Sequence, residues 1–151
     1  MELGSIEREL YIDARPEVVF EVVSDPTHVK EWWPDDAHYD VVEGSVGEIR
    51  FADDDGVEVE ALTVVDVRPP THFSFRWTHP AGEPAAEGNS LLVTFELVPQ
   101  GEGTLLRFRE TGFRERGWEA AVLEAAYQDH VLGWDHFLPR LVAYAPTLVR
   151  P

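Results

Sequence analysis

The chain has 151 residues, no cysteine, and 29 acidic against 12 basic side chains, which gives a formal net charge of −17 at pH 7. This length predicts a single domain over residues 1–151, and a hydrophobic fraction of 44% excludes an intrinsically disordered chain. The lack of cysteine excludes a disulfide framework and thiol chemistry. Neither a signal peptide nor a membrane-spanning apolar segment is visible, so we expect a cytoplasmic protein.

The charge argues against two classes of partner. A net charge of −17 repels nucleic acid phosphates and anionic membranes, so we expect neither as a partner. Between Asp35 and Asp66, 11 acidic residues accompany one basic residue, Arg50. We expect this acidic segment to lie on the solvent face, because carboxylates are readily hydrated there.

The start of the chain predicts one strand and two short helices. Residues 6–12 alternate between two faces, which is typical of a strand. A helix start is expected near Asp13 or Ala14, with Pro16 in the first turn. A second short helix is expected over residues 27–33.

The middle of the chain predicts a series of antiparallel strands. They are expected over residues 46–51, 57–67, 72–78, 91–98 and 104–111. Asp55 and Gly56 form a strong signal for a tight turn between the first two. Over residues 57–67 the valines share one face, whereas Glu58 and Glu60 share the other.

From about residue 117 to residue 144 the apolar spacing becomes helical. The apolar face of this helix holds Leu123, Ala126, Tyr127, His130, Trp134, Phe137, Leu138 and Leu141. Pro139 is expected to kink the helix, because proline cannot donate a hydrogen bond to the preceding turn. The order of elements predicts an α+β protein in which a curved antiparallel sheet of about six to seven strands wraps around the long C-terminal helix. Such packing can leave a hollow where sheet and helix diverge.

Several local motifs, in this order and spacing, resemble one known group of proteins. They are Ala14-Arg15-Pro16-Glu17-Val18-Val19-Phe20, Ser24-Asp25-Pro26 with Trp32-Trp33, Gly47-Glu48-Ile49-Arg50-Phe51, Thr111-Gly112-Phe113 and His130-Val131-Leu132-Gly133-Trp134. The chain resembles the START/Bet v 1-like (SRPBCC) superfamily, with its helix-grip fold, and within it the AHSA1-like branch named after the activator of Hsp90 ATPase. The resemblance implies a ligand cavity between the long helix and the sheet. Glu110 stands where the family often has histidine, so the roles of residues in other members are not carried over.

Motifs for several kinds of catalysis are missing from the sequence. It has no nucleophile elbow, no phosphate-binding glycine loop and no dinucleotide fingerprint. Asp53, Asp55 and Gly56 lack the closing glutamate of a calcium loop and predict a hairpin turn. His130 and His136 point about 120° apart on a helix and cannot share a metal. We expect no metal and no cofactor.

The candidate ligand-binding residues come from the inward faces of the predicted strands and of the long helix. They are Arg8, Trp33, Phe51, Phe73, Phe75, Trp77, Phe108, Glu110, Tyr127, His130 and Trp134. The alternative is that these aromatic side chains fill the core themselves. The resemblance favours an open pocket.

Three polar residues interrupt the inward faces: Arg8, Glu110 and His130. An unpaired buried charge is costly, so each of them needs a partner, a water molecule or a ligand. The first and last strands are neighbours in a helix-grip fold, which would allow Arg8 to pair with Glu110. We expect the three residues to form the polar end of an aromatic pocket. The alternative is a structural ion pair with a hydrogen-bonded histidine.

Three functions are compatible with these residues. The first is binding of a small hydrophobic or aromatic molecule in a cavity of several hundred Å³. The second is a cyclase- or lyase-type enzyme that uses Glu110 and His130 as acid and base. The third is an Hsp90-cochaperone-like partner-binding protein, which requires an exposed apolar patch that the acidic sheet edge does not provide. A homodimer is left open.

Overall fold

The computed structural model of the protein describes residues 4–148. The strands are β1 (Ser5–Ile12), β2 (Asp36–His38), β3 (Val46–Asp53), β4 (Gly56–Arg68), β5 (His72–Trp77), β6 (Leu91–Gln100) and β7 (Gly103–Thr111). The α-helices are α1 (Pro16–Ser24), α2 (Pro26–Trp32) and α3 (Ala120–Tyr144), and two 3-10 helices cover Arg114–Arg116 and Ala145–Leu148.

The seven strands form one antiparallel sheet in the order β1-β7-β6-β5-β4-β3-β2. The sheet curves around α3, and the two short helices follow the first strand, so the expected helix-grip architecture is confirmed. The sequence analysis did not identify β2, because three residues that include aspartate and histidine carry no strand signal. Its position is fixed by pairing with β3, where Ala37 lies opposite Ile49.

The two short helices pack their apolar sides together. The first residue before α1 is Arg15, which makes no capping hydrogen bond through its side chain, so the cap lies just after the expected Asp13 or Ala14. Asp25 caps α2 by accepting a hydrogen bond from the Thr27 amide at 2.9 Å. The indole of Trp32 donates to the carbonyl of Val22 at 2.9 Å. This bond ties α2 to α1 in the buried interior.

Strand β4 has a bulge that reverses the side on which its residues point. Val64 pairs with Phe75, but the next pair is Asp66 with Ser74, which leaves Val65 without a partner. Before the bulge, Leu62 and Val64 are buried, so Glu58 and Glu60 share the concave face with them. Both glutamates thus lie on the concave face and not on the outer one, although Glu58 is exposed, as expected, and Glu60 is half-buried. The expected alternation runs through Val65 without interruption, whereas the residue inserted at a bulge shifts the alternation by one position.

The other side of β3 and β4 exposes a row of valines. Val46 and Val57 are 69% and 60% exposed, and Val59 and Val65 are also exposed. We call these four residues the valine face. Two ion pairs lie beside them on these strands, Arg50 with Glu48 and Arg68 with Asp66, both at 2.6 Å. The sheet thus has an exposed apolar patch that the sequence analysis did not identify.

Helix α3 is buried along only one half of its length. Its buried residues are Trp134, Leu138 and Leu141, all in the C-terminal half. The helix continues past Pro139 to Tyr144, whose hydroxyl is 2.8 Å from Nδ1 of His28 on α2. The N-terminal half has no fully buried side chain among the described residues. No helix within residues 4–148 combines the length and apolar character needed to cross a membrane.

Candidate functional site

A cavity of about 220 Å³ lies between the middle of α3 and strands β3, β4 and β5. We call it the α3 cavity. It is lined by Trp33, Phe51, Glu58, Glu60, Trp77, Thr78, Asp129, His130, Gly133, Trp134 and Phe137. The volume is smaller than the several hundred Å³ expected from the sequence. It is nevertheless enough for one aromatic ring, since an apolar cavity of about 150 Å³ holds benzene.

The helix supplies nearly half of the lining through regular spacing. Asp129, His130, Gly133, Trp134 and Phe137 follow one another at intervals of one, three, one and three residues. On an α-helix these intervals place all five residues on one face. A β-carbon added to Gly133 would meet nothing within 4 Å, so this glycine leaves part of the cavity open.

Trp33 reduces the cavity because it lies in the middle of the groove. Its ring centroid is 4.9 Å from that of Trp134 and 5.0 Å from that of Trp77. It also contacts Phe51 and Phe75, at 6.0 and 5.6 Å. An open pocket and a core filled by aromatic side chains were expected as alternatives, and the structure contains both. One end of the groove is packed by aromatic rings, and the other end remains hollow.

Glu110 lies behind the cavity wall and is completely buried. Its carboxylate accepts three hydrogen bonds, each at 2.8 Å, from the indoles of Trp77 and Trp134 and from Nδ1 of His130. A carboxylate has no hydrogen to donate, so Nδ1 of His130 carries the proton in this contact. Glu110 thus orients three side chains of the cavity wall at once.

The acidic groups around His130 change the pKa of its imidazole. Burial acts to lower the pKa of His130, but its hydrogen bond and charge interaction with Glu110 act in the opposite direction. Asp129 and Glu60 add to the second effect, and the pKa of His130 is raised above its ordinary value of 6.5. The imidazole therefore holds its proton over a wider pH range than a free histidine does.

Three further carboxylates line the α3 cavity: Glu58 and Glu60 from β4 and Asp129 from α3. Burial, followed by the charge of Glu58, raises the pKa of Glu60 above its ordinary value of 4.5, and His130 partly opposes this. Among the residues that the structure describes, no lysine or arginine lines the cavity. The lining of the cavity is therefore acidic as well as aromatic.

Thr78 adds a hydroxyl that has no partner. It follows β5 with a positive φ of 67°, a left-handed conformation that threonine rarely adopts. Its Oγ1 is the one buried side-chain nitrogen or oxygen atom without a hydrogen bond within residues 4–148. Thr78 is one of the residues that line the α3 cavity.

Several of the sequence-predicted site residues lie away from the α3 cavity. Phe73, Phe75 and Phe108 belong to the fully buried core and do not line it. Tyr127 donates its hydroxyl to the carbonyl of Ser5 at 2.8 Å. Of the 11 candidates, the cavity is lined by Trp33, Phe51, Trp77, His130 and Trp134, and Glu110 lies directly behind them.

Arg8 does not pair with Glu110, and this expectation is wrong. Nε of Arg8 is 2.9 Å from the carboxylate of Asp135 on α3. Adjacent strands do bring β1 beside β7, but Ile6, not Arg8, lies opposite Glu110. Arg8 is two residues further along the strand, and α3 offers it a closer carboxylate.

The residues that the sequence analysis missed are Glu58, Glu60, Thr78, Asp129, Gly133 and Phe137 as parts of one lining. Phe137 could have been found one turn after Trp134, and Asp129 and Gly133 directly precede His130 and Trp134 on the same side of the helix. The two glutamates could not, because the bulge in β4 hides their face.

A wider depression of about 420 Å³ lies on the outer side of β1, β7 and β6. Its walls are charged side chains that pair with one another, since Arg107 bonds to Glu9 at 3.0 Å and to Glu96 at 3.4 Å. Ligand sites in proteins are mostly apolar, with few polar groups. The α3 cavity fits that description better. Within residues 4–148, no group of three or more histidine, aspartate and glutamate side chains is arranged to hold a metal.

Comparisons with known proteins agree with the architecture. The solved structure of a protein from Mesorhizobium loti is 23% identical, covers 97% of this chain and 99% of its own, and superposes with a TM-score of 0.76. A protein from Nitrosomonas europaea is 14% identical, with 96% of each chain covered and a TM-score of 0.76. The Aha1 dimer from Colwellia psychrerythraea is 19% identical, with 91% and 92% covered and a TM-score of 0.66. At these identities the likeness establishes the fold.

No curated protein matches the chain. A sequence model of one family does match, over residues 13–145, and its description is activator of Hsp90 ATPase homolog 1-like protein. That range includes both short helices, the strands from β2 to β7 and all of α3. The chain therefore belongs to the activator of Hsp90 ATPase homolog 1-like protein family.

Proposed function

We propose that the protein binds a small aromatic molecule in the α3 cavity. The observation that carries this proposal is a hollow of about 220 Å³ walled by aromatic rings, next to a core that is otherwise closely packed. Cavities of this kind gain from filling, because their wall atoms lack contacts on one side. One aromatic ring with a short substituent matches the volume.

The expected affinity is modest. A ligand of about ten non-hydrogen atoms that gains about 0.5 kcal/mol per atom binds with about −5 kcal/mol. This corresponds to a Kd on the order of 0.2 mM. Binding at this level is measured by calorimetry or by a shift in Tm at millimolar ligand.

The test uses indole as the probe. At about 5 mM indole, mass action on the folded state should raise Tm by about 5 °C. Gly133→Leu should remove this shift, because its side chain would grow into the open space beside Gly133. The variant should fold, since leucine is favoured over glycine within a helix by up to about 1 kcal/mol. Ala125→Leu, on an exposed position of the same helix, is the matched control and should keep the shift.

Two results would contradict the proposal. The first is the absence of any Tm shift with indole in the unmodified protein. The second is an equal shift in Gly133→Leu, which would place the binding elsewhere.

A second candidate is acid–base catalysis by His130, which its 2.8 Å contact with Glu110 favours. A carboxylate behind an imidazole fixes the ring for proton transfer to a group in front of it. Glu110 itself is enclosed by three donors and would act through His130. The test is to extract small molecules from the purified protein and incubate them with fresh protein. Conversion that His130→Gln abolishes supports an enzyme, and unchanged recovery supports binding alone.

We also infer that a second copy of the chain packs on the valine face, giving a homodimer. The four valines are exposed on a sheet surface whose neighbouring charges, Glu48 and Arg50, neutralise each other. An Hsp90-cochaperone-like partner, which the name of the family suggests, would compete for the same patch and stays a prediction.

A further inference from the structure

We infer that the ligand of the α3 cavity is an organic cation, namely a small aromatic amine in its ammonium form. This inference rests on the proposed function and narrows it from aromatic molecules in general to one charge class. It is carried by three observations: the unpaired carboxylates of the lining, the aromatic rings beside them and the unpartnered hydroxyl of Thr78.

The carboxylates of the lining lack partners that the protein gives to other acidic residues. Asp135 pairs with Arg8, Glu48 with Arg50 and Asp66 with Arg68. In the part of the chain that the structure describes, Glu58, Glu60 and Asp129 form no salt bridge. An anionic ligand would meet three like charges in this cavity. A cation would supply the missing partner.

The arrangement of Glu58 and Glu60 makes the absence of a salt-bridge partner unfavourable in the unliganded protein. Glu58 and Glu60 are two residues apart on the same face of β4, and Glu60 is partly buried. The two charges repel each other, and His130 of the same lining offsets this only in part, since its Nδ1 is already bound to Glu110. The approach of an ammonium group would relieve this repulsion.

The aromatic walls suit the same ligand. Trp33, Trp134, Phe51 and Phe137 line the cavity, and the centroids of Phe51 and Phe137 are 6.4 Å apart. Aromatic faces attract cations, most strongly where the site is shielded from water. A hard metal ion is bound instead by converging oxygen ligands, which this lining does not present.

Thr78 provides an acceptor for one ammonium hydrogen. Thr78 lines the cavity, and its buried Oγ1 makes no hydrogen bond with the described residues. A hydroxyl can accept from an ammonium group while the carboxylates supply the opposite charge. An amine on a short chain can thus reach polar groups while its ring fills the aromatic end.

The test compares three probes of similar size: phenethylamine, 2-phenylethanol and 3-phenylpropionate. Calorimetry at pH 7 should show phenethylamine binding at least tenfold more tightly than the alcohol, and the carboxylate binding most weakly. In the double variant Glu58→Gln/Glu60→Gln, the affinity for phenethylamine should fall to within about twofold of that for 2-phenylethanol. The affinity for the alcohol should stay the same. The matched double variant Glu17→Gln/Glu21→Gln changes the net charge equally on exposed positions of α1 and should keep the full preference.

The outcomes separate this inference from the proposed function. If the amine and the alcohol bind equally, and Gly133→Leu removes both, the aromatic site stands and the cation inference fails. If the preference for the amine survives in Glu58→Gln/Glu60→Gln, the inference also fails. If none of the probes binds, and indole does not bind either, the proposed function itself is overturned.

Discussion

Glu60 is a residue whose charge opposes folding. Burial and the neighbouring Glu58 raise its pKa in the folded protein, and His130 only partly offsets them. The folded state therefore holds the proton of Glu60 more tightly than the unfolded chain does. The contribution of Glu60 to stability is fully present below its ordinary pKa of 4.5. It is lost as the pH rises through the raised value.

We expect Glu60→Gln to stabilise the unliganded protein at pH 7 by about 0.5 kcal/mol, a small value because the side chain is partly open to solvent. The gain should shrink as the pH is lowered towards 4, where glutamate is protonated in both states. Urea unfolding of the variant and the parent protein across this pH range measures it, with Glu17→Gln as an exposed control. A variant that is less stable than the parent at pH 7 would disprove the electrostatic explanation.

The sequence could identify Glu110 and His130 as polar interruptions of inward faces, and it could not identify their partners. Whether Arg8 or a tryptophan reaches Glu110 depends on side-chain rotamers and on the distance between α3 and β7. The indoles of Trp77 and Trp134 were predicted only as apolar walls. Their N–H groups instead saturate the carboxylate, each at 2.8 Å. The hydrogen-bond partners of a buried carboxylate can be assigned only when the relative positions of the helices and strands are known.

Among the elements, α3 differs in stability along its length. Its buried side chains all lie from Trp134 onward. Leu132, two residues before Trp134, is 71% exposed. Local opening is easiest where few apolar contacts are lost. The middle of the helix covers the α3 cavity, where the sparsely buried N-terminal half meets the buried half, so opening of the N-terminal half would give a ligand access.

Amide hydrogen exchange should show this difference directly. We expect residues 124–133 to exchange at least tenfold faster than residues 140–144 in the unliganded protein, because the latter pack on the core. Saturating indole should slow exchange in residues 129–134 and leave β6 and β7 unchanged. Uniform protection along α3, or a ligand effect confined to the sheet, would contradict this view of the helix.

Strand β4 shows where element prediction from sequence fails. Its existence and its length are clear from the valine alternation, but one inserted residue at Val65 reverses which side chains point inward. Long helices are easier to place, since α3 presents its apolar face over many turns and tolerates an error of one residue. A strand tolerates none, because each shift moves every side chain to the other face.

For the whole molecule, the order of elements was predictable and the size of the interior space was not. The succession of one strand, two short helices, further strands and a long helix leaves few ways to bury the apolar faces. The volume of the cavity depends on the rotamer of Trp33, which occupies the middle of the groove against Trp134. No periodicity in the sequence encodes that choice.

The valine face leads to a prediction about assembly. A dimer that buries Val46, Val57, Val59 and Val65 gains apolar contact area, while the net charge of −17 on each chain opposes association. Salt screens the repulsion and leaves the apolar gain. We therefore expect a dimer whose population rises between about 20 mM and about 300 mM NaCl, as measured by light scattering on a sizing column.

The double variant Val57→Thr/Val59→Thr should shift the dimer to monomer, because threonine keeps the strand preference but adds hydroxyls. Val122→Thr, an exposed valine on α3, should leave the dimer intact. A monomer at every salt concentration, or an unchanged dimer in the double variant, would show that the valine face is not an interface between copies.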